Sequence, residues 1–406
     1  MTNIEFIAGP AGSGKSTLIR QRLNEQGPSY TKLCATTGVA AANLSTVTLH
    51  SLLKFFKLED LTLRRKKVLH ILECLNVKSI TIDEVSMLSG KLLDAVVDVL
   101  DDYNEGCPDQ IDLVLTGDFC QLPPVDLQDG FAFDAKCWPR VKVTKLEKVW
   151  RQNEPKFLEA LNLARKGQGS LCTKLLKDIC EFASSRDADF PGLCLVATKA
   201  EAHKFNTINL EKISTPYLTY QSSRWGQQLT DWKDIPDQVS LKLNCRVKIR
   251  SNETKTFSYV SGDTGILVNH QPCMVKLDRT GLLVIVKPII RYNEVPEPTD
   301  TSKVMEFCDP ETGEIHRIHY IGTINYMPVE PGYASTIHSA QGLTLDSAQI
   351  SLIDLTSFLL NRRQFGQNLV YVALSRVRNP ANLRIHGSPQ ELASKVRLHP
   401  RVNSWI

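Results

Sequence analysis

GPAGSGKS, residues 9 to 16, matches the pattern G-x-x-x-x-G-K-[ST]. Glycines at those spacings let successive backbone N–H groups curl round a phosphate, and the lysine behind them reaches the outer phosphates of a nucleoside triphosphate. IEFIAG before the motif reads as a strand and the residues from Ser16 onward as a helix, so the helix N-terminus adds its dipole to the cradle. The candidate nucleotide contacts are Gly9, Pro10, Ala11, Gly12, Ser13, Gly14, Lys15, Ser16 and Thr17, with Lys15 on the β- and γ-phosphates and Ser16 on Mg²⁺. ITIDEVSML then places two carboxylates at the end of an apolar strand: Asp83 to support the metal and Glu84 to accept a proton from attacking water. Adjacent carboxylates usually mark a solvated loop; the apolar strand before them and the phosphate loop upstream reverse that reading. Gln121, in TGDFCQLPPV, follows a further apolar run, IDLVL, and reaches the same edge. A neutral amide both donates and accepts, so it can contact γ-phosphate oxygens or the attacking water, and Pro123 and Pro124 stiffen the loop that carries it.

These residues need a scaffold that gathers strand ends. The first 150 residues alternate apolar strands with helical patterns: TKLCAT, a helix around Val39, SITID, LLDAVVDVL, then IDLVLTGD. Such alternation predicts an α/β fold with a parallel sheet, ligands collecting beyond the carboxyl ends of the strands. Residues 52–78 form an excursion, with Val68, Ile71, Leu72 and Leu75 at helical spacing behind the basic run at 64 to 67. A second α/β pattern starts near Trp150 with PKFLEALNLARKG, LCLVAT and KAEAHKFNTINLEKI. The stretch 235–327 is β-rich, and α/β texture then returns to the end. The expected division is 1–149 as a first lobe, 150–234 with 328–406 as a second lobe, and 235–327 as an accessory domain inserted in the second.

Composition narrows the class. A 406-residue chain with 42% hydrophobic and 23% charged residues is globular, and a net charge of +4 permits a polyanionic partner without demanding one. Eleven cysteines without a CxxC pair argue against a zinc ribbon or a disulfide framework, and the lone HxxH pair His316 and His319, in a β-like stretch, is weak evidence for a metal. The start shows no secretory pattern and the longest apolar runs are too short to span a membrane, so an intracellular location and no membrane partner are expected.

Taken in order, GPAGSGKST, TTGVAAANLSTVTLHSLLKF, ITIDEVSMLSGKLLD, TGDFCQLPPV, LEKVWRQNEPKFLEALNLARKG, ASTIHSAQGLTLD and FGQNLVYVALSRVRNPANLRI resemble the superfamily 1 DNA helicases of the Pif type, with RecD and Dda as relatives. The resemblance runs from residue 9 to 385, and GDFCQLPPV and YVALSR are its most specific parts. It implies two RecA-like lobes with parallel sheets, a small β-barrel inserted in the second lobe, and ATP-driven 5′-to-3′ movement on single-stranded DNA. Arg151 of WRQ and Arg376 of ALSR would point to the γ-phosphate as arginine fingers. Gln341 of HSAQG would line the nucleotide cleft. Thr36, Thr37, Thr48 and His50 on the first lobe, and Ser335, Thr336 and His338 on the second, look like the DNA track, since short hydroxyls and amides suit phosphate contacts and histidine can stack. The excursion with Phe55 and Phe56 occupies the place where relatives carry a strand-separating wedge; a surface helix with a basic face is the equal alternative.

Single-stranded and forked DNA, ATP and Mg²⁺ are thus the implied partners, with DNA replication, repair, recombination and telomere maintenance as the implied processes. A monomer is the working expectation, in nucleus or cytoplasm according to host, and a viral origin also fits. One departure stands out: the first strand starts at about residue 3, where such helicases carry an upstream helix whose glutamine reads adenine. Base selectivity is therefore open. An RNA helicase of the same superfamily, a nucleotide-gated DNA-binding or recombination factor without unwinding, and a small-molecule kinase remain as rivals. The kinase leaves the second-lobe motifs unexplained.

Overall fold

The computed structural model describes residues 1–406 except 28–29, 45, 56, 125, 153, 188–189, 191, 230–231, 234, 254–257, 296–299, 309–314, 353–354 and 356–366, and the backbone alone at 26, 39, 42, 43, 294, 307, 308, 315 and 316. Phe56 of the excursion therefore lies outside the described residues, as do Val125, Asn153, Phe365 and Gly366 of the motifs and the side chain of His316.

The alternation in the first 150 residues folds as expected. Strands β1 (Ile4–Ala8), β2 (Thr31–Ala35), β3 (Val47–Thr48), β4 (Ser79–Asp83), β5 (Asp112–Gly117) and β6 (Val141–Lys145) form a six-stranded sheet in the order β3-β2-β4-β5-β1-β6. Every pairing in it is parallel. Strand β4 is buried at all five positions, as a central strand of a parallel sheet is, although SITID alternates polar and apolar residues. The register sets Ala8 beside Gly117 and Ala35 beside Asp83. The loops leaving β1, β4 and β5 therefore issue together from the carboxyl edge. Behind the sheet the helix Gly90–Gly106 is capped by Ser89, whose side chain accepts from Leu92 N, and it buries Leu93, Val96, Val97 and Leu100.

A second parallel sheet follows from β7 (Glu181–Ala183) and β8 (Leu193–Val196), completed by the late strands Ala334–Thr336, Ala348–Ser351 and Leu383–His386. Together these are the two RecA-like layers implied above. They share one compact unit, Met1–Phe205 with Ala334–Ile406, and one apolar cluster runs from Phe6 and Ile82 to Leu374 and Val402. The end of that unit crosses back to the first sheet. Trp405 packs its ring 4.7 Å from Phe119 and 5.5 Å from Phe6, and Arg401 pairs with Asp134.

The excursion at 52–78 forms the helices Leu58–Leu63 and Arg65–Leu75. Leu61, Val68 and Leu72 enter the main core, while Arg65 pairs with Asp102 and donates to Asp98 O at 2.7 Å. Arg64, Lys66 and Lys67 stay exposed. Phe55 is only 2% exposed and stacks on His50 with centroids 4.3 Å apart, so its ring belongs to the core.

Residues Asn206–Tyr333 form the other compact unit, wider than the 235–327 expected. The strand Tyr217–Gln221 pairs with Gln238–Lys242, and Ser223–Gly226 pairs with Ile315–Tyr326, so the β-rich unit begins before its β texture becomes dense. The expected small barrel is not confirmed. Among the described residues the five-stranded antiparallel sheet runs in hydrogen-bonded order from Leu283–Ile285 to Val329–Pro331 without closing. No described helix is long and apolar enough to cross a membrane.

Candidate active site

The phosphate loop is shaped by two left-handed glycines, Gly12 at φ 80° and Gly14 at φ 86°. A Cβ on Gly12 would lie 2.5 Å from the Cβ of Arg151, so glycine is needed both for the turn and for the approach of the WRQ segment. Lys15 Nζ donates to Gly9 O at 2.7 Å and Pro10 O at 2.9 Å, holding the loop closed. Burial pushes the ammonium's pKa down, against the pull of Asp118, Glu84 and Asp83.

At the end of β4, Glu84 adopts φ 57° and ψ 45°, a left-handed conformation that costs a non-glycine residue about 1 kcal/mol or more. Its surroundings hold it there. Glu84 N donates to Asp83 Oδ1 at 2.9 Å, and Glu84 O accepts from Thr36 Oγ1 at 2.8 Å. The strain aims the carboxylate into the cleft. Gln341 Nε2 donates to Glu84 Oε2 at 3.3 Å, so residues from both sheets touch this carboxylate. Burial, then the neighbouring Asp83, raise the Glu84 pKa above its ordinary 4.5, while Lys15, Arg376 and Gln341 moderate the rise. A general base works only when deprotonated. Hydrolysis should accordingly fall as pH drops through a pKa higher than that of a free glutamate, which the acid limb of a kcat/KM profile on the free enzyme would report. An acid limb at or below 4.5 would remove Glu84 from that role.

Arg376 is 1% exposed and three of its five N–H groups anchor it: Nε donates to Val372 O at 2.8 Å, Nη2 to Ser375 Oγ at 2.6 Å and Nη1 to Leu343 O at 3.3 Å. Arg151 Nη1 donates to Ser375 O at 3.4 Å. Burial pushes the Arg376 pKa down to about 10, with Arg151 adding to the effect, and burial also lowers that of Arg151. Two largely buried guanidiniums that line one cleft and repel each other favour an anion beside them.

A cleft of about 1040 Å³ joins these groups, lined by Ala11–Thr17, Asp83, Glu84, Gln121, Arg151 and Arg376 among others. Five cationic side chains, Lys15, Arg20, Arg151, Arg376 and Arg378, face three carboxylates there, Asp83, Glu84 and Glu154. Among the described residues, Ser13 Oγ, Gln121 Oε1, Gln152 Oε1 and Gln341 Oε1 are buried without a hydrogen-bond partner. Ser13 and Gln121 line the cleft, and unpaired buried polar atoms there fit a site built to receive a polar ligand. For a divalent cation, Ser16 and Asp83 offer hydroxyl and carboxylate oxygens, the hard donors that Mg²⁺ takes. Both bonds recorded on Asp83, from Thr116 Oγ1 and Glu84 N, fall on Oδ1.

Comparison with known proteins decides the family. An AAA-domain model matches residues 2–180. The ATP-dependent DNA helicase Pif1 of Bdellovibrio bacteriovorus is 30% identical over 94% of this chain and 84% of that protein. The chain belongs to the Pif1 helicase family. Human ATP-dependent DNA helicase PIF1 is 28% identical over 94% of this chain, which spans 58% of the human protein's length. The crystal structure of Pif1 helicase from Candida albicans superposes with a TM-score of 0.76 at 24% identity, covering 100% of this chain and 95% of the other.

With the Pif1 family in view, the residues expected on the DNA track show local commitments. Thr36 is tied to Glu84, Thr37 Oγ1 accepts from Ala40 N at 3.2 Å, and Thr48 caps the helix Leu49–Leu52 through Ser51 N. His50 is stacked on Phe55, and burial lowers its pKa. On the other sheet Ser335 is buried and Thr336 Oγ1 accepts from Ser339 N at 3.2 Å. His338 begins the short 3₁₀ turn His338–Ala340 that leads to Gln341. The sequence reading missed Trp150, an exposed ring at the cleft mouth carrying Lys148 Nζ 3.7 Å from its centroid, and it missed Asp118, Tyr371 and Asn368. Trp150 stands beside a named motif arginine, which was the available signal; the other three make hydrogen bonds to residues distant in sequence.

Proposed function

We propose that this chain is an ATP-driven DNA helicase that moves 5′-to-3′ along single-stranded DNA and separates duplex strands at forks. The observation that carries the reading is that Lys15 and Glu84, from the first sheet, share one cleft with Arg376, from the second. ATP bound there spans both, so it favours the closed arrangement over the open one. Lys15 and the loop N–H groups hold the phosphates, Glu84 takes the proton of the attacking water, and Arg151 and Arg376 stabilise charge on the transferred group. Ser16 and Asp83 are the residues that would hold Mg²⁺, which when bound neutralises charge on the β- and γ-oxygens.

Thr36, Thr37, Thr48 and His50 grip DNA on one lobe, and Ser335, Thr336 and His338 grip it on the other. Alternate closing and opening then moves one grip against the other. Swinging a two-state equilibrium from 1:99 to 99:1 takes about 5.5 kcal/mol, and a DNA base-pair step is worth roughly 1.4 kcal/mol, so the bias suffices for a one-step advance. Gln121, its side chain buried in the cleft and its backbone O bonded to Asn368 Nδ2 at 2.7 Å, relays γ-phosphate occupancy to the second lobe. Gln121→Ala should keep ATP binding but lose about tenfold of the stimulation by single-stranded DNA, since the lost contact is made only with the outer phosphate. Full DNA-stimulated hydrolysis in that variant would sink the relay.

Unwinding of a duplex with a 5′ tail but not a 3′ tail tests the proposal. The reverse preference would overturn the direction, unwinding of RNA duplexes alone would move the assignment to RNA, and DNA-stimulated hydrolysis without unwinding would leave a nucleotide-gated DNA-binding factor.

A further inference from the structure

The Tyr371 hydroxyl sits at the centre of a buried polar joint between the two sheets. It accepts from Ala11 N, in the phosphate loop, at 3.0 Å and donates to Asp118 Oδ2 at 2.9 Å. Asp118 has a fully buried side chain and is also held by Arg165, through Nη2 at 3.0 Å and Nε at 3.2 Å, while its Oδ1 accepts from Cys120 N at 3.1 Å. Arg165 in turn donates to Trp405 O at 2.9 Å. Asp118 belongs to the loop after β5 in the first sheet, whereas Tyr371 and Arg165 come from helices of the second layer, Leu369–Leu374 and Pro155–Arg165.

The placement along one short helix gives the joint its meaning. Asn368, the residue before Leu369–Leu374, binds Gln121 O; Tyr371, in its middle, binds Ala11 N; Ser375 and Arg376 follow directly at its end. Arg376 Nε is itself anchored to Val372 O within that helix. The finger is thus rigid with respect to the helix, and the helix is fastened to the phosphate loop and to the Gln121 loop by two side chains. A buried tyrosine oxygen with both a donor and an acceptor satisfied is costly to disturb, and phenylalanine in its place leaves Ala11 N without this partner.

We propose that Tyr371 is a positioning residue: together with Asn368 it sets the distance between the Arg376 guanidinium and the phosphate loop that the γ-phosphate must span. This rests on the cleft being a nucleotide site, as proposed above, but not on DNA as the track. The effect should therefore appear when a planar mimic of the transferred phosphoryl group is bound and be absent for the diphosphate.

The test is the affinity of mant-ADP, with Mg²⁺, in the presence and absence of aluminium fluoride, for wild type, Tyr371→Phe, Asn368→Ala, Arg376→Ala and each of the first two combined with Arg376→Ala. ADP alone carries no third group for the guanidinium to meet and should bind all variants within about twofold. The gain from aluminium fluoride should shrink about tenfold or more in each single variant, as ångström-scale misplacement does for positioned groups. Neither double variant should lose more than Arg376→Ala alone, because both residues act through that arginine. A preserved gain in Tyr371→Phe and Asn368→Ala, or losses that multiply in the doubles, would overturn the proposal, as would a wild type without any gain. If the gain behaves as expected while DNA fails to stimulate hydrolysis, the positioning role stands and the helicase reading falls.

Discussion

Glu84→Gln is expected to lower ATP turnover by about 10²- to 10⁴-fold while ATP and single-stranded DNA still bind, the range that general-base removal produces. The substitution keeps the shape and the contact from Gln341, so the cleft should hold together. It removes only the capacity to take a proton. Burial and Asp83 already raise the Glu84 pKa, which places the carboxylate nearer the working pH of a base than a solvated glutamate would be. The left-handed backbone at this position argues the same way, since a strained conformation held by Asp83 and Thr36 persists only where the surroundings over-determine it. Quenched-flow hydrolysis with parallel nucleotide-binding measurements would check it. Turnover within about fivefold of wild type would assign the proton to another group.

Arg376→Ala should be the other severe loss, about 10³-fold or more in kcat, in line with arginine fingers elsewhere. Its guanidinium is bonded to Val372, Ser375 and Leu343, so the side chain is preorganised and pays little reorganisation at the moment charge develops. Arg376→Lys should rescue little of it. A lysine carries the charge but cannot occupy three separate acceptors in the same plane. Steady-state kinetics should show the change in kcat, with KM for ATP moving far less; an equal change in both would mean that Arg376 binds the ground state as strongly as the transition state.

How much of this site could be read in advance follows the range of the interactions. The phosphate loop was legible because its chemistry is local: Gly12 and Gly14 take positive φ, and Lys15 follows them directly. Asp83 and Glu84 were legible because the buried strand that ends at Asp83 is itself a pattern. Asp118 and Tyr371 were not, since a carboxylate and a phenol 253 positions apart become partners only when the two sheets pack. The same reason hid the start of the β-rich unit. Tyr217–Gln221 is short and finds its partner in Gln238–Lys242, beyond a connection that gives no hairpin signal. Trp405 was equally invisible: a single aromatic says nothing about Phe6 and Phe119, almost 400 and nearly 290 positions away. The excursion at 52–78 shows an intermediate case, in which helical spacing found Val68 and Leu72 but gave no hint that Phe55 lies under His50.

The central claim is that one cleft couples ATP hydrolysis to a nucleic-acid track. The most direct measurement is steady-state ATP hydrolysis with and without single-stranded DNA, beside a Lys15→Ala protein prepared identically. The account predicts strong stimulation by DNA that disappears in Lys15→Ala, because that side chain holds the phosphate loop through Gly9 and Pro10 and faces the cleft. Hydrolysis that is indifferent to DNA, with DNA binding separately measured, would contradict the coupling, and hydrolysis that survives Lys15→Ala would contradict the site.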